Sequence, residues 1–244
     1  MQSWWMLLLF ALAGAAGGVI QTMCGFGAGV VLTLVYSNES LFNTDVGPAV
    51  SIAVSFVLTV YLALKLRKNL EWKKIILPLV PFLIISLLIQ PGANLKLLGI
   101  LFGVFQILLG IYFLWIAPSV KPNRNPVIGV ICGGLSGVTG TLFGVAGPFL
   151  SVYMVAVSAD MLSFTANMQF IFVISNLVIL LGKIRQGLYT VSCLPSTVAG
   201  AAGILIGGMI GVRLVKKMDT AKLKKIVYYF LLPSGIATIL QRIL

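Results

Sequence analysis

Histidine is absent from this chain, and carboxylates are nearly so: Glu39, Asp45, Glu71, Asp160 and Asp219 are the only acidic residues, all in or beside connectors. Most acid–base catalysis and metal binding lack their usual residues here. That argues against an enzyme, and no metal or cofactor site is expected. Cys24, Cys132 and Cys193 are odd in number and scattered through apolar sequence. They suggest buried thiols and no disulfide framework. Charge of either sign is sparse, at 9% of residues, where an ordinary soluble domain carries roughly 25%.

What remains is apolar. Hydrophobic residues make up 59% of the 244, more than a soluble fold can cover. Stretches near the roughly 20 residues that cross a bilayer recur along the chain. They fall at about 4–36, 46–64, 75–90, 97–117, 127–157, 161–182, 190–213 and 224–244. The chain therefore reads as an all-α integral membrane protein, multi-pass, with the lipid bilayer as its surroundings. The net charge of +12 is not taken as a nucleic-acid signal, because membrane proteins concentrate Lys and Arg on cytoplasmic loops. Leu7 to Ala16 resembles the core of a signal peptide, but Met1 to Met6 carry no basic residue. The segment is kept as the first membrane element, with Trp4 and Trp5 at the interface.

Two of the apolar stretches, the first and the fifth, are too long for one crossing, and each is interrupted by glycine. The breaks are Gly25-Phe26-Gly27-Ala28-Gly29 and Gly144-Val145-Ala146-Gly147-Pro148, offset by 119 residues. Aligning Pro78 with Pro195 gives an offset of 117, and Leu70 with Leu188 gives 118. A near-constant offset predicts an internal duplication, with repeat 1 at 1–117, a linker at 118–126 containing three prolines, and repeat 2 at 127–244. If every stretch crosses once, the 17 Lys and Arg divide 10 against 7 between the two sides; if both broken stretches fold back, they divide 13 against 4. The positive-inside rule favours the second arrangement. It makes the two repeats inverted, each with one glycine-broken helix–break–helix segment, as in many secondary transporters.

A broken helix is tolerated in hydrocarbon only where protein or a wet cavity surrounds it. At such a break a half-helix N-terminus offers unpaired N–H groups and a positive dipole end to an anion, and glycine allows close approach. The expected ligand contacts are Gly25, Gly27 and Gly29 in the first break and Gly144 and Gly147 in the second. Neutral side chains nearby join them: Gln21, Thr22, Cys24 and Thr141, with Asn167 and Gln169 from a following helix. Ser51, Ser55, Ser175 and Asn176 lie on the helices that follow, where hydroxyls commonly bond back to their own backbone. Interhelical bonding competes with ligand binding for the amides.

The small-residue helix leading into a Gly-x-Gly-x-Gly-like break, repeated as Gly133-Gly134-Leu135-Ser136-Gly137 through Gly144 to Pro148, resembles the sulfite exporter TauE/SafE family of membrane permeases. The likeness extends over both halves, including the polar turns before Trp72 and Tyr189 and the Gly207-Gly208-x-x-Gly211-x-Arg213 ending; Ala146 and Pro148 depart from the family's glycine-richer second break. The resemblance implies a transporter in the bacterial inner membrane, an exporter of sulfite, a sulfonate or a related small sulfur-containing anion. An anion channel or an uptake permease for thiosulfate or another oxyanion uses the same scaffold, and an intramembrane enzyme is disfavoured by the missing histidines. A small anionic substrate is the expected partner, and a homo-oligomer stays open. With no acidic residue in any predicted span to carry a proton, the expectation is electrogenic efflux driven by membrane potential.

Overall fold

The computed structural model describes residues 4–36, 46–89, 95–111, 114–115, 124–143, 146–217 and 220–243. Among them there are helices and turns but no strand. The first half holds α1 (Trp4–Cys24), α2 (Ala28–Tyr36), α3 (Val46–Lys65), α4 (Trp72–Leu88) and α5 (Leu95–Ile111); the second holds α6 (Pro126–Phe143), α7 (Gly147–Val157), α8 (Met161–Arg185), α9 (Leu194–Lys217) and α10 (Thr220–Ile243). Four helices, at 4–24, 46–65, 161–185 and 191–217 with its leading 3-10 turn, are long and apolar enough to cross a membrane. Pro78 and Pro81 lie inside α4.

Both broken segments fold back on themselves. Gly25 and Gly27 take positive φ angles of 80° and 112°, a region open to glycine because it lacks Cβ. The chain reverses there. Phe10, near the start of α1, stacks on Tyr36, at the end of α2, with ring centroids 4.5 Å apart, and a Cβ on Gly17 would sit 3.3 Å from the Cα of Ala28. The second pair closes in the same way: Gly140 faces Ala146, Gly129 faces Tyr153, and Arg124 Nε donates to the Ala156 carbonyl at 3.3 Å. Each pair is a helical hairpin whose two ends share a face of the molecule.

Glycine also sets how the halves interlock. A Cβ at Gly203 would lie 1.8 Å from the Ala11 oxygen and one at Gly207 2.0 Å from the Ala15 oxygen, while Gly14 and Gly18 meet the carbonyls of Gly200 and Ile204. Residue numbers rise together along this seam, so α1 and α9 run parallel with their backbones in contact. The same device joins α4 to α6, where Gly133 and Gly137 meet the Pro78 and Phe82 carbonyls. Small residues let membrane helices approach this closely. Thus the hairpin of each half packs on the fourth helix of the other, α1 on α9 and α6 on α4, while α3 packs on α8 and α5 on α10.

These pairings fix the faces. Tyr36 Oη donates to the Ser196 carbonyl at 3.4 Å, so α9 starts on the face where α1 starts and ends on the opposite one. Val54 and Leu58 of α3 rise beside Gly200 and Gly208, which brings Lys65 to the face of Lys217. The turn after α7 joins that face through the Ala159 N–H to Glu71 bond of 3.4 Å. Lys65 to Lys74, Arg124 and Arg213 to Lys217 therefore share one face, called basic below, and α8 carries Lys183 and Arg185 to the other.

Candidate functional site

The two hairpin tips meet between α3 and α8. Phe26 packs so closely on Gly147 that a Cβ there would lie 2.2 Å from the Cβ of Phe26. Beside this contact is a cavity of about 40 Å³, lined by Gln21, Gly27 and Gly29 from the first hairpin, Gly140, Ala146 and Gly147 from the second, and Ser51, Ser55, Ser175 and Asn176 from α3 and α8. Phe26, Ile52, Phe172 and Ile179 complete the wall. No charged side chain lines it among the described residues.

Polarity comes from the backbone and from neutral side chains. The N-termini of α2 and α7 both open at this cavity, each bringing first-turn N–H groups without an intrahelical acceptor and a positive dipole end. Ala146, the residue capping α7, offers no side-chain acceptor to those amides, and Gly27 before α2 has no side chain to offer. Ser55 Oγ is buried with no hydrogen-bond partner, at a cost of about 1–3 kcal/mol for an unsatisfied polar group. By contrast Ser51 and Ser175 donate back to the Gly47 and Phe172 carbonyls, at 3.0 and 3.4 Å.

A relay of amides holds the first tip in place. Gln21 Nε2 donates to Gln169 Oε1 at 2.9 Å, and Gln169 Nε2 donates to the Gly25 carbonyl at 2.9 Å. The peptide exposed by the helix break thus finds a partner on α8. Toward the basic face an apolar cluster including Cys24, Phe26, Leu150, Met154, Phe164 and Met168 closes the cavity; toward the opposite face Ile179 is the boundary, shared with a second, larger chamber.

The expected contact residues divide accordingly. Gln21, Gly27, Gly29 and Gly147 stand at the cavity, and Gln169 and Gly25 stand behind it in the relay. Thr22 bonds back to the Gly18 carbonyl at 2.7 Å and faces Gly211, while Cys24 is packed in the apolar cluster. Thr141 lines the second chamber. Asn167 is at the basic face: its Nδ2 donates to Glu71 Oε2 and Ser158 Oγ, both at 3.2 Å, and its Oδ1 accepts from the Glu71 N–H at 2.9 Å. It fastens the start of α4 to the α7–α8 turn. Gly144 lies outside the described residues. Phe26 and Ala146 lie within the breaks but were not among the expected contacts. Ser51 with Ser55, and Phe172 with Ser175, Asn176 and Ile179, follow the i, i+3, i+4 spacing of one helix face, the signal that places them together.

Among the described residues, the acidic groups stay away from the cavity. Asp160 caps α8, accepting from the Ser163 N–H at 2.7 Å. Burial pushes the Glu71 carboxyl up, but hydrogen bonds from Lys74, Asn167 and the Ala159 N–H outweigh that and hold it below the usual carboxylate range.

The family model described as Sulfite exporter TauE/SafE matches residues 10–238. No curated protein and no solved structure gives a significant match.

Proposed function

The chain belongs to the sulfite exporter TauE/SafE family, a family of membrane transporters, and from that premise we propose that it exports a compact sulfur-containing anion across the bacterial inner membrane. The observation that carries this reading is the convergence of two helix N-termini on one small cavity without a charged side chain. Such termini bind anions by amide donors and dipole alone. Discontinuous helices that point their N-terminal ends at an anionic substrate recur in secondary transporters.

The volume limits the cargo. At about 40 Å³, the cavity holds about three or four water-sized groups, since one needs roughly 10–15 Å³ by this measure. Sulfite suits that space; an organosulfonate requires the tips to separate. The apolar cluster on one side and Ile179 on the other close the cavity at both ends, which favours a carrier that alternates access over an open channel. The basic face, by the positive-inside rule, is cytoplasmic. The two halves then enter the membrane from opposite sides, the inverted arrangement around which such carriers rock.

Efflux of an anion needs no coupled ion. An inside-negative potential favours outward movement by about 2.3 kcal/mol per charge per 100 mV, and the described carboxylates stand at helix starts, not at the cavity. In proteoliposomes loaded with sulfite, flux should follow a valinomycin-set potential and persist when the proton gradient is collapsed. Net flux that vanishes when only the pH gradient is removed, with the potential clamped and sulfite protonation accounted for, would contradict this mechanism.

A further inference from the structure

We propose that the chamber between α4, α6 and α8, on the face opposite the basic clusters, is a second anion-binding station in series with the central cavity. The proposal rests on the reading of that cavity as the anion site and adds to it a place where the ion is handed to or taken from the outer solution. The chamber, of about 540 Å³, is lined by Ser86, Leu87, Thr141, Gly182, Lys183 and Arg185 among others. It is both larger and more polar in its ligands than the central cavity.

Three features point to an anion. Ser86 is 8% exposed, and its Oγ, like Thr141 Oγ1, is buried without a hydrogen-bond partner. Two hydroxyls from different helices, α4 and α6, thus stand unpaired among the residues that line the chamber. To the same lining α8 supplies Lys183 and Arg185, two of the few cations on this face. A guanidinium presents a planar fork of donors that matches an oxyanion, and a lysine adds a point charge. Placed at the mouth of a low-dielectric cleft, such charges raise the local concentration of the ion.

The chamber is also in the right place. Ile179 lines both it and the central cavity, is 7% exposed and lies one turn before Lys183 on α8. An anion leaving the helix N-termini past Ile179 enters a space lined by hydroxyls and cations. Ile179 is then the outer gate.

Equilibrium binding of [35S]sulfite to purified full-length protein tests the arrangement. Wild type should show two sites per chain of unequal affinity. Ser86→Ala/Thr141→Val and Lys183→Gln/Arg185→Gln should each weaken one of them by about ten- to a hundredfold, the range for losing hydrogen bonds to a charged group, and leave the other unchanged. Gly182→Trp offers a variant that spares the fold, because a Cβ at Gly182 meets nothing within 4 Å; its ring should fill the chamber and remove the same site. Gly147→Leu should remove only the central one. A single wild-type site that Gly147→Leu abolishes and the chamber variants leave intact would overturn the second station while keeping the central one. A single site with the reverse pattern would overturn the central reading, and no binding at all would overturn both.

Discussion

One methyl group at position 147 should separate the two hairpin tips. The Cβ of Gly147→Ala would lie 2.2, 2.4 and 2.6 Å from the Cβ, Cγ and Cδ2 of Phe26, about 1 Å or more inside an unstrained carbon–carbon contact of about 3.5–4.0 Å. Cβ and Cγ are the root of the ring, and rotating χ2 does not move them away. The backbone of Phe26 is no freer, fixed between Gly25 and Gly27 at positive φ and tied through the Gly25 carbonyl to Gln169. Its ring also meets Phe230 edge-on with centroids 6.3 Å apart. The strain of such overpacking is typically about 1–3 kcal/mol. Because the cavity lies between the tips, a displacement of about 1 Å should also cost at least one hydrogen bond to the anion, some 1.5–3 kcal/mol, or about ten- to a hundredfold in affinity. Gly134→Ala is the control, since the same methyl there meets only Ile85 Cγ1 at an ordinary 3.9 Å, away from both cavities, and should gain up to about 1 kcal/mol of helix propensity. The assay is thermal unfolding of purified protein across a sulfite titration, in which binding to the folded state raises the midpoint. Gly147→Ala should start lower and respond only at higher sulfite; Gly134→Ala should start no lower than wild type and keep the wild-type sulfite response. An unshifted midpoint with wild-type sulfite dependence in Gly147→Ala would refute the tip-to-tip geometry.

Gln169→Leu should lower stability by about 1–3 kcal/mol in the same unfolding assay by orphaning Gln21 and the Gly25 carbonyl, whereas Gln169→Glu keeps the bond from Gln21, sets a negative charge behind the anion site and should abolish sulfite binding. Gly203→Leu should fail to accumulate as folded protein on size-exclusion chromatography, because its side chain has no room against the Ala11 carbonyl. The carboxyl of Glu71 is held below its ordinary range in the folded protein, so its stabilisation is complete above the unfolded value and is lost as pH falls through the folded one. The gap in unfolding midpoint between wild type and Glu71→Gln should therefore be present at neutral pH and close on acidification; a gap that widens in acid reverses the sign. Single cysteines placed at 183 and 217 in a cysteine-free background should label from outside and inside the cell respectively, and external labelling at 217 inverts the assigned faces.

Legibility in the sequence followed the physics of each feature. The fold-back points were readable because glycine clusters in hydrocarbon are costly and the Lys and Arg counts are strongly one-sided only if both broken stretches fold back. Gln169 and Asn167 were indistinguishable by type, yet two residues apart on a helix point in different directions: one reaches the hairpin tip, the other reaches Glu71 on the basic face. No local pattern encodes which direction is which. Ser55 and Ser51 show the same limit at finer scale, since only the packing of α3 on α8 leaves the first without a partner and lets the second bond back to Gly47. The outer chamber gathers Ser86, Thr141 and Arg185 from three helices far apart in the chain, and the sequence held only one hint of it, two cations on the face that has few.

The account's central claim is that an oxyanion sits between the N-termini of α2 and α7. Selenite has sulfite's shape and charge and scatters anomalously, so crystals of the full-length protein grown with it report the ion's position directly. An anomalous peak about 4 Å from the first-turn amides around Gly27 to Gly29 and Gly147, the selenium lying one bond behind oxygens about 2.9 Å from those nitrogens, and bounded by Ser55, is the predicted result. Selenium peaks found only elsewhere, with no density at that position at saturating selenite, would contradict it.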